Sequence, residues 1–161
     1  MATIRRATAD DAQDIGAVFD AAVREGWPYL GELAARPMFP PEEWDAEVVK
    51  HAPPNAMLVA VDDADRPIGF VAVHPADGEM YLLFVHPRHA GNGVGRALLA
   101  AGDATMQAAG CREAFLYTHE QNTRAIAVYE AAGYRRDGTV RESEFRGVHQ
   151  REVRLAKVLN P

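Results

Sequence analysis

The chain has little that would staple it, anchor it in a membrane or draw it to a polyanion. Its 161 residues include one cysteine, Cys111, so an internal disulfide is impossible and a four-cysteine zinc site is excluded. Cys111 follows Gly110 at the entrance to an apolar run, where its plain role is a small buried filler rather than a reactive thiol. No uninterrupted apolar stretch approaches the roughly 18 residues of a membrane span. The first eleven residues lack an apolar secretory core and place Arg5 and Arg6 in a β-like alternation instead. A cytoplasmic protein without a membrane partner is the expectation. Positive charge is also scarce. The 17 Lys and Arg against 23 Asp and Glu leave a net charge of −6, which argues against nonspecific nucleic-acid binding. The same balance leans toward a cationic small molecule or peptide as partner, although acidic surface also serves solubility alone.

What remains is an ordinary globular composition, 48% hydrophobic and 25% charged. At this length one domain, 1–161, can bury a core large enough to need no metal or disulfide. Residues 3–7 read as a strand. Thr8 followed by Asp11 resembles a capping box with Asp in place of Glu or Gln, and a helix then runs to about Val23 on a stripe of Ile15, Val18, Phe19 and Ala22. From 24 to 41 glycines and prolines break the pattern, yet the stretch carries Trp27, Tyr29, Met38 and Phe39. A helix follows over 42–51, then strands over 56–61, 68–74 and 79–85 with turns between them. A glycine-rich loop opens a helix over 94–109. After it come a strand at 115–118, a helix at 123–132, a strand from Tyr134 and a hairpin over 144–158 turning near Gly147. Helices against a largely antiparallel sheet, a mixed α/β fold, is the reading.

The segment from Val85 to Leu99 is the most informative. A strand ends, small residues follow, and a helix starts at once. Bare N–H groups and the positive end of the helix dipole there suit phosphate oxygens, and glycine lets the backbone approach them. A Walker loop fails because Gly95 is followed by Arg96 and Ala97 rather than Lys and Ser or Thr. A dinucleotide fingerprint from Gly91 would need a small residue at Arg96 and should follow the first strand, not the fourth.

The run Ala90-Gly91-Asn92-Gly93-Val94-Gly95 resembles the acyl-CoA pyrophosphate loop of the GNAT superfamily of N-acetyltransferases, commonly [QR]-x-x-G-x-[GA]. Ala90 stands where that family usually has Gln or Arg, a change that weakens rather than removes a site made mostly of main-chain groups. A second stretch, Asn122 through Tyr129 to Gly133 and Tyr134, resembles the later family motif N-x-x-A-x-x-x-Y-x-x-x-G-[FY]. Asn122 also reads as a helix N-cap and Gly133 as a helix C-terminal glycine. It is the ordered set of both motifs that identifies the family.

The resemblance implies acetyl-CoA as co-substrate, no metal, and direct transfer to an amine of a small molecule or peptide, with a homodimer compatible with the family. It implies CoA contacts from the main chain of Leu83, Phe84 and Val85, from 90–95 with Arg96 beyond, and from Asn122 and Ala125. It also places an acid near the CoA sulfur at Tyr129. For the base it points to Glu79, which strand alternation sets on one face with Tyr81, Leu83 and Val85 unless a bulge intervenes. A solvated strand-start carboxylate is the other reading of Glu79. His119, just after a strand, could shuttle a proton or stand by. Trp27, Tyr29 and also Trp44 are candidates for holding an ammonium by cation–π attraction, or for packing helices together. A non-catalytic acyl-CoA-binding or sensing domain, and a transferase for another acyl group, are the alternatives.

Overall fold

In the computed structural model, which describes residues 2–35, 41–145 and 147–160, the strands are β1 (Thr3–Arg6), β2 (Ala56–Val61), β3 (Pro67–His74), β4 (Glu79–Val85), β5 (Glu113–His119), β6 (Arg135–Phe145) and β7 (Val148–Val158). The helices are α1 (Ala12–Gly26), α2 (Pro41–Lys50), α3 (Val94–Ala108) and α4 (Thr123–Ala131), with a 3-10 segment over Pro28–Ala35. Met38 and Phe39 lie outside the described residues. Among the described helices none is long and apolar enough to cross a membrane.

The seven strands form one sheet in the order β1-β2-β3-β4-β5-β7-β6. Among the described residues only the β4–β5 pairing is parallel, and the other five are antiparallel. The turn at Gly147, with φ of +81°, closes the β6–β7 hairpin as expected, but β7 inserts between β5 and β6. The near-continuous apolar runs of β2 and β3 are explained by helices on both faces.

On one face α3 brings Leu98, Leu99 and Met106, all fully buried, against Val71 and Val73 of β3, and α4 adds Ile126 and Tyr129. Burying each such leucine contributes roughly 1.5–3 kcal/mol. On the other face α1 lays Ile15, Val18 and Phe19 over Val59 and Phe70. The chain enters α1 through Thr8, whose N–H donates to the Asp11 carboxylate at 2.8 Å. Trp44 takes the packing role, the second of its two readings. It is 2% exposed, its ring centroid 5.1 Å from that of Phe19 and 5.9 Å from that of Phe70, so it joins the α1–α2 core rather than facing an acceptor. Cys111 is half-buried rather than fully buried, its thiol donating to the Pro75 carbonyl at 3.2 Å.

Candidate functional site

The parallel strands β4 and β5 meet at one register position, Glu79 opposite Phe115, and then diverge. Between them opens a cleft of about 710 Å³. Which main-chain groups face it follows from the pairing on the far edge of β4. His86 N–H donates to the Ile68 carbonyl at 2.8 Å, in register with Phe84 opposite Phe70 and Val85 opposite Gly69. In an antiparallel ladder the residues alternate between bonded and non-bonded pairs. Phe84 therefore spends its N–H and C=O on β3, whereas Leu83 and Val85 aim theirs into the gap. Phe84 contributes its ring instead, 4.7 Å from that of Phe19 and 6.0 Å from that of Trp27.

One end of the cleft is the glycine loop. Gly91 and Gly93 hold φ of +80° and +82°, a region costly for side chains, and Gly93 caps the N-terminus of α3. Gly95 lies close to Val85, where a Cβ would stand 3.5 Å from the valine Cγ2. Ala90, Gly91, Gly93, Gly95 and Arg96 line the cleft beside the bare N–H groups of the α3 terminus, and Arg124 from α4 also lines it. Two loop residues do not reach it: Val94 is 7% exposed and packs into the core, and Asn92 is exposed outside the cleft wall.

The opposite wall is α4. Asn122 accepts from Ala125 N–H at 3.3 Å, so its side-chain oxygen caps the helix and its amide nitrogen is left for a ligand. Ala125 and Tyr129, one turn apart, present one stripe to the cleft. Burial pushes the Tyr129 phenol up to about 12, and its hydroxyl has no hydrogen-bond partner among the described residues. Tyr134, the last residue of the motif, is structural. Its hydroxyl donates to buried Asp103 at 2.6 Å, and Lys157 Nζ donates to the other carboxylate oxygen at 2.6 Å.

On the α1 side, Trp27 lines the cleft and lies tilted against His119 at 4.4 Å between centroids, with Phe145 edge-on to Trp27 at 5.6 Å. The Tyr29 hydroxyl is hydrogen-bonded to His119 Nδ1 at 2.8 Å. Glu152 on β7 pairs directly across from His119, lines the cleft and accepts from Arg141 at 2.6 Å. Glu79 is not brought into the cleft wall, which begins at Met80. A register shift of β4 against β3 leaves Tyr81 as an extra residue between Met80 and Leu82, and this bulge breaks the alternation. Glu79 therefore shares a face with Leu82 and Phe84, while Leu83 and Val85 face the α3 core. Burial raises the Glu79 carboxyl, with Arg141 opposing and Asp77 and Glu152 adding to it.

The sequence pattern of the Acetyltransferase (GNAT) family matches residues 19–134, spanning β4, the glycine loop and α4. The chain belongs to that family. Mycothiol acetyltransferase of Saccharopolyspora erythraea is 41% identical over 86 residues, covering 52% of this chain and 28% of that protein. That of Kocuria rhizophila is 40% identical over 93 residues, covering 52% and 31%. The chain thus spans less than a third of the length of these curated relatives. Among solved structures, a GCN5-related N-acetyltransferase from Rhodopseudomonas palustris superposes with a TM-score of 0.81 at 19% identity, covering 99% of this chain and 96% of that one. A phosphinothricin acetyltransferase from Sinorhizobium meliloti in complex with AcCoA gives 0.80 at 20% identity, covering 99% and 89%. These likenesses show the GNAT fold, a seven-stranded, mostly antiparallel sheet with helices on both faces.

For this GNAT chain, sequence reasoning undervalued the pair His119–Tyr29 and overlooked Glu152. Ninety residues separate Tyr29 from His119, so no local spacing could announce the bond. The one available signal was a histidine closing an apolar strand three residues before the Asn122 motif. Glu152 becomes a neighbour only because β7 inserts beside β5.

Proposed function

We propose that the chain is an acetyl-CoA-dependent N-acetyltransferase that passes the acetyl group directly to an amine on a small molecule, without an acyl-enzyme. The observation that carries this reading is the gap between β4 and β5. Free main-chain groups of Leu83 and Val85 line one wall, the Tyr129 hydroxyl the other, and a glycine-lined helix terminus closes one end. A pantetheine arm lying along β4 would take the place of the missing strand partner, and its pyrophosphate would reach Gly91, Gly93 and the α3 N–H groups. The same arrangement would hold a thioester carbonyl oxygen on an N–H of β4, where negative charge grows as the amine attacks.

The amine arrives protonated, so one proton must leave before attack. Collapse of the tetrahedral species breaks the C–S bond and expels the CoA thiolate. Tyr129, held in its phenol form by burial, donates to that sulfur, and the second proton shed by the acceptor nitrogen balances the one given up. Glu79 has the raised pKa of a useful base but sits outside the wall, so it reaches the amine only through solvent. A small-molecule acceptor is favoured by the name of the curated relatives, mycothiol acetyltransferase. A peptide amine is the wider alternative. Thiol release from acetyl-CoA across primary amines, polyamines, amino acids, amino sugars and short peptides tests the reading. Release above the hydrolysis rate is expected with one class, and none with any class would sink it.

A further inference from the structure

We propose that His119 is the group that takes the proton from the acceptor ammonium, with Tyr29 as the residue that positions its ring. This rests on the transferase reading above and reassigns within it the step for which the family resemblance points to Glu79, a residue outside the cleft wall.

Three observations converge on it. First, His119 is 8% exposed yet lines the cleft at the end of β5, on the wall opposite the one along which CoA is proposed to run. Second, its two nitrogens have different surroundings. Nδ1 is bound to the Tyr29 hydroxyl at 2.8 Å. Nε2 bonds no described residue, and it is absent from the side-chain nitrogens that are sealed from solvent without a partner, which include His51 Nε2 and His74 Nε2. Nε2 therefore opens on the cleft. Third, the ring is held by two aromatic neighbours: Trp27 lies against it, tilted by 47° at 4.4 Å between centroids, and Tyr29 meets it edge-on with centroids 5.8 Å apart.

The electrostatics suit the step. Burial lowers the imidazole below its ordinary value, so it is neutral and able to accept at physiological pH, while Glu152 opposes that shift and steadies the imidazolium once formed. The charged and titratable groups facing His119 are Tyr29 from the 28–35 segment, Glu152 from β7 and, through its ion pair with Glu152, Arg141 from β6. Burial raises the Tyr29 phenol, so it stays protonated. With Nδ1–H donating to the Tyr29 oxygen, Nε2 carries a bare lone pair. The ammonium N–H bond breaks, Nε2–H forms, and the electron pair stays on the nitrogen that attacks the thioester. The imidazolium then returns its proton to solvent at the cleft mouth.

The decisive experiment is the pH profile of kcat/KM with an amine that wild type acetylates, run on His119→Gln, Tyr29→Phe and Glu79→Gln, with CoA affinity measured for each. His119→Gln is expected to lose ~100-fold in kcat/KM and its acidic limb, with CoA affinity within two-fold of wild type. Added imidazole is expected to restore part of the rate in His119→Gly, a gain that a merely structural role would not produce. Tyr29→Phe removes the acceptor for Nδ1–H and is expected to move the acidic limb to lower pH. It serves as the test if the His119 variants do not fold. Glu79→Gln is expected to keep the limb. Turnover and limb at wild-type values in His119→Gln, or a limb unmoved in Tyr29→Phe, would overturn the role of His119 while leaving the transferase reading intact. A wild-type chain that releases no thiol with any amine would overturn both.

Discussion

The two arms of the cleft are built from different materials. The arm that ends at the glycine loop is made of backbone: Leu83 and Val85 offer main-chain groups, Gly91 and Gly93 hold positive φ, and α3 offers its first N–H groups. The arm beneath α1 is made of side chains, Trp27, Tyr29, His119 and Glu152, drawn from three distant parts of the chain. A backbone site tolerates changes of side chain but not of conformation or charge, and it leaves a glycine signature in sequence. A side-chain site can be rebuilt residue by residue, and it leaves almost none. On the proposed reading, the difference separates what one invariant cofactor requires from what a variable acceptor requires.

Tyr129 is the group proposed to protonate the departing sulfur, so its loss is expected to have the largest effect. Tyr129→Phe keeps the ring in its buried place and removes only the hydroxyl. Turnover should fall about 100-fold, the usual scale for one general acid. CoA affinity from titration calorimetry should stay within two-fold, because the hydroxyl bonds no described residue. Unchanged turnover would remove Tyr129 from the chemistry.

The loop provides the next effect, and two substitutions separate strain from charge. A Cβ at Gly93 meets nothing within 4 Å, so a side chain fits and only φ of +82° opposes it. Asn tolerates that region better than most residues, so Gly93→Asn should weaken CoA binding only a few-fold. Gly93→Asp adds a negative charge beside the pyrophosphate and should weaken it at least ten-fold beyond Asn at low salt, less at high salt. Equal affinities for the two variants would mean that no phosphate lies there.

The acceptor arm should respond the other way. Trp27→Leu removes the ring that lies against His119 and meets Phe84 and Phe145. KM for the amine should rise roughly ten-fold, the scale of a lost aromatic contact, while the Kd for CoA holds. A matched change in both would collapse the distinction between the arms.

The same distinction explains how much could be read in advance. The central strands β2, β3 and β4 were legible because alternation and continuous apolar runs report burial, and the helices were legible from stripes such as Ile15, Val18 and Phe19. The loop and the Asn122–Tyr134 motif were legible because their spacing is local. What escaped depended on tertiary placement. Trp44 carries the same ring as Trp27 in the same aromatic neighbourhood, yet α2 turns it into the core. Tyr134 looked like a motif residue and turned out to be bonded to Asp103, 31 residues away. The single extra residue at Tyr81 moved Glu79 to the other face of β4, and nothing in Glu79-Met80-Tyr81-Leu82 announces a bulge.

Glu79 supplies the smallest expected effect, and it shows why charge belongs to the acceptor arm. Its carboxyl is raised, first by burial and then by Asp77 and Glu152, against the opposing pull of Arg141. A folded-state pKa above the unfolded value means the folded chain binds the proton more tightly. The stability this contributes is full below the unfolded value of about 4.5 and is lost as pH rises through the folded value. At neutral pH the folded chain therefore holds a charge it partly resists. Glu79→Gln should leave the thermal midpoint near pH 4 unchanged and raise it by about a degree or two at pH 7, since a partly solvated group has little to give. A midpoint that falls at pH 7 would mean that the Arg141 attraction outweighs burial. Glu79 would then be a structural partner of Arg141, and the carboxylates around the acceptor arm would form a balanced ion network instead of a site kept ready for a cation.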